Sequence, residues 1–462
     1  MSHFTTKNDY IELSPALNED DEPPDIRRDQ YSLEGKRSAS IHRASMEALL
    51  EEATHLEPNP ASHPWRLIVQ SLPSLIISLI GLVVAGVLMD EYQHWQVFVN
   101  TSELFILLPI LLNLKGNLEM ILASRFSTSA NMGELDYGSS RKSLMLGNLA
   151  LLQVQALVAG AIAGLASFAL GVLTRPDTGG SYYESVYMTA CSMVSASFSS
   201  AILGVFMCAL ILICRQYRIN PDNIACPLAS ATGDVVTLIL LAGCAMILQD
   251  HMETLMSTFV FLSMLLAVPF FGVIVWRNKR IKQLLFAGWT PIVIAMVISS
   301  LAGVVLEHYV EKYKGIALLT PVLIGVAGNL GSIYVSRIST CLHQDTEEDY
   351  ASVERALFLM NIPVQAIFLL IIWAFNMGDL DYNFWFFLTY MMVNLICTFI
   401  CLKVGKWMTL SFWKMGYDPD NYVIPYLTAT IDAIGTVLLV ATFSLLTSSG
   451  ASNMQMPAQP TN

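Results

Sequence analysis

The sequence predicts an all-α, polytopic membrane protein made of two parallel five-helix repeats joined by one linker transmembrane helix. First, 54% of the 462 residues are hydrophobic and only 13% are charged, whereas a soluble domain carries about 25% charged residues. Second, the chain contains eleven apolar runs that are long enough to cross a bilayer as helices. Third, two segments of the first half recur in the second half.

The hydropathy pattern places eleven spans in order along the chain. Residues 1–64 precede them and are acidic, polar and dotted with proline, so we expect a disordered cytosolic region there. The predicted spans are 66–89, 104–126, 144–173, 187–214, 225–248, 255–276, 284–306, 316–338, 355–376, 384–410 and 422–447. A short tail, 448–462, follows the last span. The net charge of −12 argues against nucleic acid as a partner. The apolar spans make the lipid bilayer the expected environment.

The distribution of lysine and arginine predicts which side of the membrane each loop faces. Cytosolic loops carry an excess of these residues. If the N-terminus lies in the cytosol, the outer loops receive only Arg175, Lys312 and Lys314, whereas the inner loops receive fourteen basic residues. We therefore predict a multi-pass protein of the plasma membrane, with a cytosolic N-terminus and an extracellular C-terminus.

An internal repeat covers most of the membrane region. The segment "PILLNLKGNLEMILASRFST" at 109–128 aligns with "PVLIGVAGNLGSIYVSRIST" at 321–340, and ten of the twenty positions are identical. The segment "PDNIACPLASATGD" at 221–234 aligns with "PDNYVIPYLTATID" at 419–432, and seven of the fourteen positions are identical. Shared apolar composition would produce far fewer identities, so the chain contains two related membrane units.

The two units are predicted to span 66–248 and 284–447. Two five-helix units joined directly would lie in opposite orientations in the membrane. Here the region 249–283 supplies one further span and a basic cytosolic loop, which returns the second unit to the orientation of the first. The units should therefore be related by a pseudo-two-fold axis along the membrane normal. The chain then corresponds to a fused dimer and requires no further oligomerisation.

Each unit carries one aspartate, Asp234 or Asp432, inside its last apolar run. A carboxylate at the bilayer centre costs roughly 2.5–3.5 kcal/mol on insertion scales, so such residues usually serve a function. Polar residues share a helix face with each aspartate, and a proline that is expected to kink the helix precedes each one by seven residues. These neighbours are Ser230, Thr237 and Pro227 in the first unit, and Thr428 and Pro425 in the second.

Two such helices facing each other across the axis would bring both carboxylates into one hydrated cavity. Their combined charge of −2 suits a divalent cation, and oxygen ligands without cysteine or histidine select hard ions such as Mg²⁺ or Ca²⁺. Bound Mg²⁺ usually keeps several waters, which fits two carboxylates with amides and hydroxyls around them. We therefore predict a metal site at Asp234 and Asp432 that binds Mg²⁺ as the transported ion, with no cofactor. The alternative is that each aspartate only bonds a neighbouring helix.

The other repeated segment predicts walls for the same pathway. Asn117 and Asn329 occupy equivalent positions and carry amide groups into the membrane interior. Asn113 lies one helical turn before Asn117, and Ser332 lies three residues after Asn329. Amide and hydroxyl oxygens at these four positions are expected to line the route of a hydrated cation.

Glycine and proline also recur at equivalent positions of this segment. Gly116 and Gly328 are expected to allow neighbouring helices to approach closely, because small residues serve helix packing in membranes. Pro109 and Pro321 are expected to mark a packing contact or a kink near the start of their helices.

The first unit carries two charged residues that the second unit lacks. Lys115 and Glu119 are four residues apart and can pair on one helix, whereas the second unit has Ala327 and Gly331 at these positions. Both charged residues are candidates to line the pathway. If they do not pair, Glu119 adds a third acidic group and Lys115 a competing positive charge. A symmetric channel has no need of this difference, whereas a transporter that couples a second ion can use it.

The repeated motifs resemble those of known magnesium-transporting proteins. The paired "GN" and "PD…P…D" segments are similar to those of the bacterial MgtE-type magnesium channels. The duplication, the "LKGNLEMILASR" segment and the acidic N-terminal region resemble solute carrier family 41 of the same superfamily. The resemblance covers about 66–447. It implies a magnesium pathway between two five-helix units, with Asp234 and Asp432 at the ion site and Na⁺ as the coupling ion for efflux.

The sequence departs from these families in two ways. The N-terminal region is too short to encode the paired regulatory domains of the MgtE channels, so gating by such domains is not implied. The second unit has Ile431 where the first has Gly233, and this change is expected to alter helix packing beside Asp432.

Other classes of function remain open from the sequence. A passive Mg²⁺ channel, or a transporter of another divalent cation or small solute, would have the same architecture. An intramembrane aspartyl protease also needs two membrane aspartates. Members of that class pair a "GxGD" helix with a "YD" helix, but Ala231 replaces the first glycine and no tyrosine precedes Asp432. We therefore expect no enzymatic activity.

Overall fold

The computed structural model describes residues 64–448, apart from short gaps. The gaps are 93–94, 102, 137, 175–180, 253, 288, 311, 314, 347, 378–379 and 381. The predictions made for the acidic N-terminal region and for the tail concern residues that lie outside this described part.

The described residues form eleven long helices and no β-strand. In chain order these are α1 (Pro64–Tyr92), α2 (Glu103–Asn131), α3 (Gly138–Thr174), α4 (Tyr182–Gln216), α5 (Ala225–Gln249), α6 (Leu255–Arg277), α7 (Trp289–Val310), α8 (Ile316–Gln344), α9 (Tyr350–Ala374), α10 (Phe384–Lys414) and α11 (Pro419–Ser448). Each falls on one of the eleven predicted spans. Within the described residues, nine are long and apolar enough to cross a membrane. The predicted all-α polytopic class is confirmed.

The first helix of each half of the chain packs partly against the other half. Leu67, Leu75 and Leu79 in the N-terminal half of α1 belong to the same hydrophobic core as α8 to α11. Conversely, Ile292 of α7 belongs to the core formed by α2 to α5. Helix α6 packs on α3 and α4. The two halves are therefore interlocked by their first helices.

Helices α2 and α8 lie side by side and run in the same direction. The Ser332 hydroxyl lies 3.6 Å from Met120 Sδ, and the Thr128 and Thr340 hydroxyls lie 3.3 Å apart. Both contacts join equivalent positions of the aligned repeat. Contacts between equivalent positions are expected where a two-fold axis passes between two helices. The pseudo-two-fold relation of the whole units stays a prediction.

Epitope tags test the predicted orientation. We expect a tag at the N-terminus to be protected in intact cells and a tag after Ala451 to react with an antibody added outside, because an odd number of crossings, as the eleven predicted spans require, would place the termini on opposite sides. The measurement is antibody access before and after the plasma membrane is permeabilised. If both tags lie on one side, the number of crossings is even and the parallel arrangement is wrong.

Candidate cation site

Asp432 of α11 sits where three helices meet. Its Oδ2 atom accepts hydrogen bonds from Asn113 Nδ2 of α2, at 2.9 Å, and from the Ser299 hydroxyl of α7, at 2.7 Å. The residue is half-buried. An aspartate within a membrane helix is thus held by polar groups and still has free lone pairs for a further ligand.

A short row of hydrogen-bonded polar side chains extends from this aspartate along α2 and α11. Asn117 Nδ2 donates to Asn113 Oδ1 at 3.2 Å, and the Thr428 hydroxyl donates to Asn117 Oδ1 at 2.7 Å. The spacing of four residues places Asn113 and Asn117 on one face of α2. The predicted set of Asn113, Asn117, Thr428 and Asp432 is therefore brought together.

Asp234 of α5 has a different environment, although it occupies the equivalent position. It is half-buried and has no hydrogen bond to any residue that the structure describes. Its carboxylate interacts electrostatically with Lys115, which attracts it, and with Asp432, which repels it. The two repeated aspartates are thus close enough to interact electrostatically. Among the described residues, Asp234 has fewer hydrogen-bond partners than Asp432.

Lys115 and Glu119 form an ion pair on α2, with exposed fractions of 2% and 1%. Glu119 Oε1 accepts from Lys115, whereas Glu119 Oε2 has no hydrogen-bond partner among the described residues. Counting both aspartates with this pair, one positive and three negative charges lie together. Their net charge of −2 equals the charge of one divalent cation with opposite sign.

Gly233 provides the space that Glu119 occupies. A Cβ atom at this glycine would overlap Glu119 Oε2. The second unit has no acidic side chain to accommodate, because Gly331 stands at the position of Glu119, and Ile431 replaces the glycine. The difference between "TGD" and "TID" in the two repeats is therefore linked to the charged pair on α2.

This packing gives a testable prediction. Gly233→Ala should lower the melting temperature and the folded yield, because the added methyl group displaces a buried carboxylate. The measurement is thermal unfolding followed by size-exclusion chromatography in detergent. Gly116→Ala is the matched control, since a Cβ there would meet nothing within 4 Å. In a Glu119→Gly background the same alanine should be tolerated. Equal destabilisation in both backgrounds would contradict the steric explanation.

The close helix approach expected at Gly116 and Gly328 is not found. Among the described residues, nothing lies within 4 Å of a Cβ at Gly116, and only Thr428 Cγ2, at 3.9 Å, lies near one at Gly328. Gly116 thus borders open space, and Gly328 makes only an ordinary van der Waals contact with α11.

The prolines differ in their helical positions. Pro227 lies in the first turn of α5, where no intrahelical hydrogen bond is lost. Pro321 and Pro425 lie inside α8 and α11, and both helices continue through them. The side chain of Pro109 lies outside the described part of the structure.

Four predicted pathway residues are not joined to Asp432. Asn329 Nδ2 donates to the Ser78 hydroxyl of α1 at 2.7 Å. The Ser332 hydroxyl donates to the Gly328 carbonyl, and the Thr237 hydroxyl donates to the Gly233 carbonyl. Ser230 lies on α5 and is half-buried. Equivalent positions of the two repeats thus make different contacts, because the residues opposite them are different.

Ser299, which donates directly to Asp432, is not among the residues that the sequence predicts for the site. Its only signal is a pair of serines, Ser299 and Ser300, inside an otherwise apolar run. Asp222 and Asp420 of the repeated "PDN" segment are also absent from that prediction, although they are only 1% and 2% exposed. Burial raises the pKa of Asp222 to about 6, although hydrogen bonds from Ser127, Thr340 and Ser336 favour its charged form.

Comparisons with known proteins identify the family of the chain. The family model MgtE, described as a divalent cation transporter, matches residues 108–244 and 320–442. Solute carrier family 41 member 2 of Gallus gallus is 36% identical over 436 residues, which cover 88% of this chain and 75% of that protein. The protein of that name from Homo sapiens is 36% identical over 405 residues, covering 82% of this chain and 70% of its own length.

A third relative extends this similarity. Solute carrier family 41 member 3 of Mus musculus is 34% identical over 436 residues, which cover 89% of each chain. No solved structure matches the chain. The relatives are solute carriers and not enzymes, which argues against the intramembrane-protease interpretation. With both repeats matched by the family model and the relatives similar over most of its length, this chain belongs to solute carrier family 41, within the MgtE family of divalent cation transporters.

Proposed function

We propose that this protein carries Mg²⁺ across the plasma membrane between its two halves, with Asp234 and Asp432 as ligands. The observation that carries the proposal is the group of buried and half-buried ionisable side chains around these aspartates, whose formal net charge is −2 when all four are ionised. A charge of −2 inside a membrane needs a compensating cation, because an uncompensated charge is costly in a low-dielectric environment. One divalent ion supplies that compensation.

The donor atoms favour a hard cation. Asp432 and Asp234 offer carboxylate oxygens, and Asn113 and Asn117 add amide oxygens on the facing helix. Carboxylates, carbonyls and water suit Mg²⁺, Ca²⁺ and Mn²⁺, and Mg²⁺ retains part of its hydration shell. The open space beside Gly116 leaves room for such waters. Mg²⁺ is thus cargo here and not a resident cofactor.

We further propose that Na⁺ drives efflux in exchange for Mg²⁺, with the N-terminus cytosolic and the C-terminus outside. Two Na⁺ carry the same charge as one Mg²⁺, so either load neutralises the site. The Lys115–Glu119 pair in the first half alone supports coupling, because a symmetric passive channel would not need it. These residues make the two aspartates inequivalent, and inequivalent sites allow an ordered exchange of different ions.

A flux experiment separates an exchanger from a passive channel. Purified protein is reconstituted in liposomes loaded with Mg²⁺ and a Mg²⁺-sensitive dye, and the membrane potential is clamped with valinomycin and K⁺. We expect Mg²⁺ to leave only when Na⁺ is present outside, and addition of choline in place of Na⁺ should stop it. Liposomes with the Asp234→Asn/Asp432→Asn protein are the control for leak. Equal Mg²⁺ flux with choline and with Na⁺ would contradict coupling and favour a channel.

A further inference from the structure

Two repeated segments, "SR·ST" and "PDN", have no role in the cation site, yet both are identical in the two halves. The structure pairs them across the halves. The Ser124 hydroxyl of α2 donates to Asp420 Oδ1 at 2.8 Å, and the Ser336 hydroxyl of α8 donates to Asp222 Oδ1 at 2.9 Å. Each serine thus bonds the aspartate of the other half, and the two bonds join equivalent pairs of residues.

Further contacts close the same level of the molecule. The equivalent hydroxyls of Thr128 and Thr340 lie 3.3 Å apart between α2 and α8. Gln344 Nε2 of α8 donates to the backbone carbonyl of Asn131 at 2.7 Å, and Asn131 Nδ2 donates to Asp222 Oδ2 at 2.7 Å. We call the set of Ser124–Asp420, Ser336–Asp222 and Thr128–Thr340 the clasp.

Two arginines lie beside the aspartates of the clasp. Arg337 donates to Asn223 Oδ1 at 2.8 Å and interacts electrostatically with Asp222. Arg125 interacts electrostatically with Asp418 and with Asp420. Arg337 also forms an ion pair with Glu348. The two arginines thus serve carboxylates beside the clasp as well as its own aspartates, and the bonds that join the two halves here are the serine hydrogen bonds to Asp420 and Asp222.

The position of the clasp gives it control over one exit. Thr128 follows Asn117 by eleven residues on α2, which corresponds to about 16 Å along a helix. Met120 and Ser332 fill the space between these levels and are in contact. A hydrated cation at Asp432 cannot pass a contact of 3.3 Å between two buried hydroxyls. Passage toward the ends of α2 and α8 requires the two halves to separate there.

We propose that the clasp is a reversible gate, closed in this structure, which must open for the cation to reach the side of the membrane on which α2 and α8 end. The inference rests on the proposed pathway between the halves. The predicted orientation assigns this side to the cytosol. Because the gate consists of hydrogen bonds between the halves and not of apolar packing, water that enters can replace its bonds, which makes opening reversible.

A cysteine pair tests the gate directly. In Thr128→Cys/Thr340→Cys protein the two sulfurs lie at positions whose oxygens are 3.3 Å apart, so oxidation with copper phenanthroline should link them. We expect oxidation to lower Mg²⁺ flux in liposomes at least tenfold and dithiothreitol to restore it. Thr128→Cys alone and Thr340→Cys alone should each keep their flux under the same oxidant. These two variants control for reactions of the eight native cysteines. Unchanged flux through fully cross-linked protein would overturn the gate.

Two further measurements distinguish a failure of the gate from a failure of the proposed function. Isothermal titration with Mg²⁺ should still detect binding to the cross-linked protein, because the link lies far from Asp234 and Asp432. If the unlinked protein neither binds nor carries Mg²⁺, the proposed function fails and not only the gate. If the disulfide does not form, Ser124→Ala/Ser336→Ala decides instead. Removing both bonds should raise Mg²⁺ leak without a Na⁺ gradient several-fold, and a leak equal to that of the unmodified protein would overturn the gate.

Discussion

Replacing either Asp234 or Asp432 by asparagine is expected to lower Mg²⁺ flux at least tenfold, which corresponds to about 1.4 kcal/mol of lost binding or transition-state stabilisation. Each change reduces the net charge of the group from −2 to −1 and removes a charged oxygen ligand. A divalent cation is then no longer neutralised. The double variant should transport at the level of protein-free liposomes.

The asparagine variants should fold, because the side chain keeps its shape. In Asp432→Asn the remaining carbonyl oxygen can still accept from Asn113 and Ser299. The measurements are dye-monitored flux and Mg²⁺ binding by isothermal titration, with thermal unfolding as the check of structure. Asp250→Asn is the matched control, since this carboxylate is exposed at the end of α5, the helix that carries Asp234. Wild-type flux in both single variants would contradict the assignment of Asp234 and Asp432 as ion ligands.

The second large effect concerns the Lys115–Glu119 pair. Glu119→Gly alone should lower Mg²⁺ flux about tenfold, equivalent to about 1.4 kcal/mol, because it leaves Lys115 to neutralise Asp234. The net charge of the group then falls to −1, and the ammonium group competes with the cation. Lys115→Ala/Glu119→Gly restores a net charge of −2 and copies the second unit at these two positions.

We therefore expect the double variant to transport better than the single variant. Flux and Mg²⁺ affinity of the two proteins should be measured side by side, since double-mutant comparison isolates the pair from the rest of the site. Adding Gly233→Ile fills the space that Glu119 leaves and completes the resemblance to the second unit, where Ile431 and Gly331 occur together. If the double variant is as impaired as Glu119→Gly, the two residues do not compensate one another. Glu119 would then act on the ion itself.

The two halves of the site have diverged in how they hold their aspartates. Asp432 is fixed by two hydrogen bonds, whereas Asp234 is held electrostatically by a lysine. A transporter must bind its ion and release it. A site with one well-fixed and one lysine-balanced carboxylate has a built-in competitor for the cation, because Lys115 can neutralise Asp234 when the ion leaves.

The sequence by itself determined the class of the molecule and named its candidate ion-site residues. Apolar runs must become helices in a bilayer because every backbone polar group needs a partner there, so eleven runs predict eleven helices. Asp234 and Asp432 were identified because two segments of the chain align with one another. A carboxylate inside an apolar span is also energetically costly, so it usually serves a function. The spacing of Lys115 and Glu119 showed that they could pair on one helix, since four residues form about one helical turn, and the structure pairs them.

Only the tertiary structure decided which helix each polar face meets. Asn117 and Asn329 are equivalent in sequence, yet Asn117 faces Thr428 of α11 and Asn329 faces Ser78 of α1. Ser299 and the clasp were hidden because their partners lie more than a hundred residues away in the chain. Helical periodicity records which side of a helix is polar, but the neighbour on that side is chosen by packing of the whole bundle. Gly233 shows the same limit, because its need for space comes from a carboxylate on another helix.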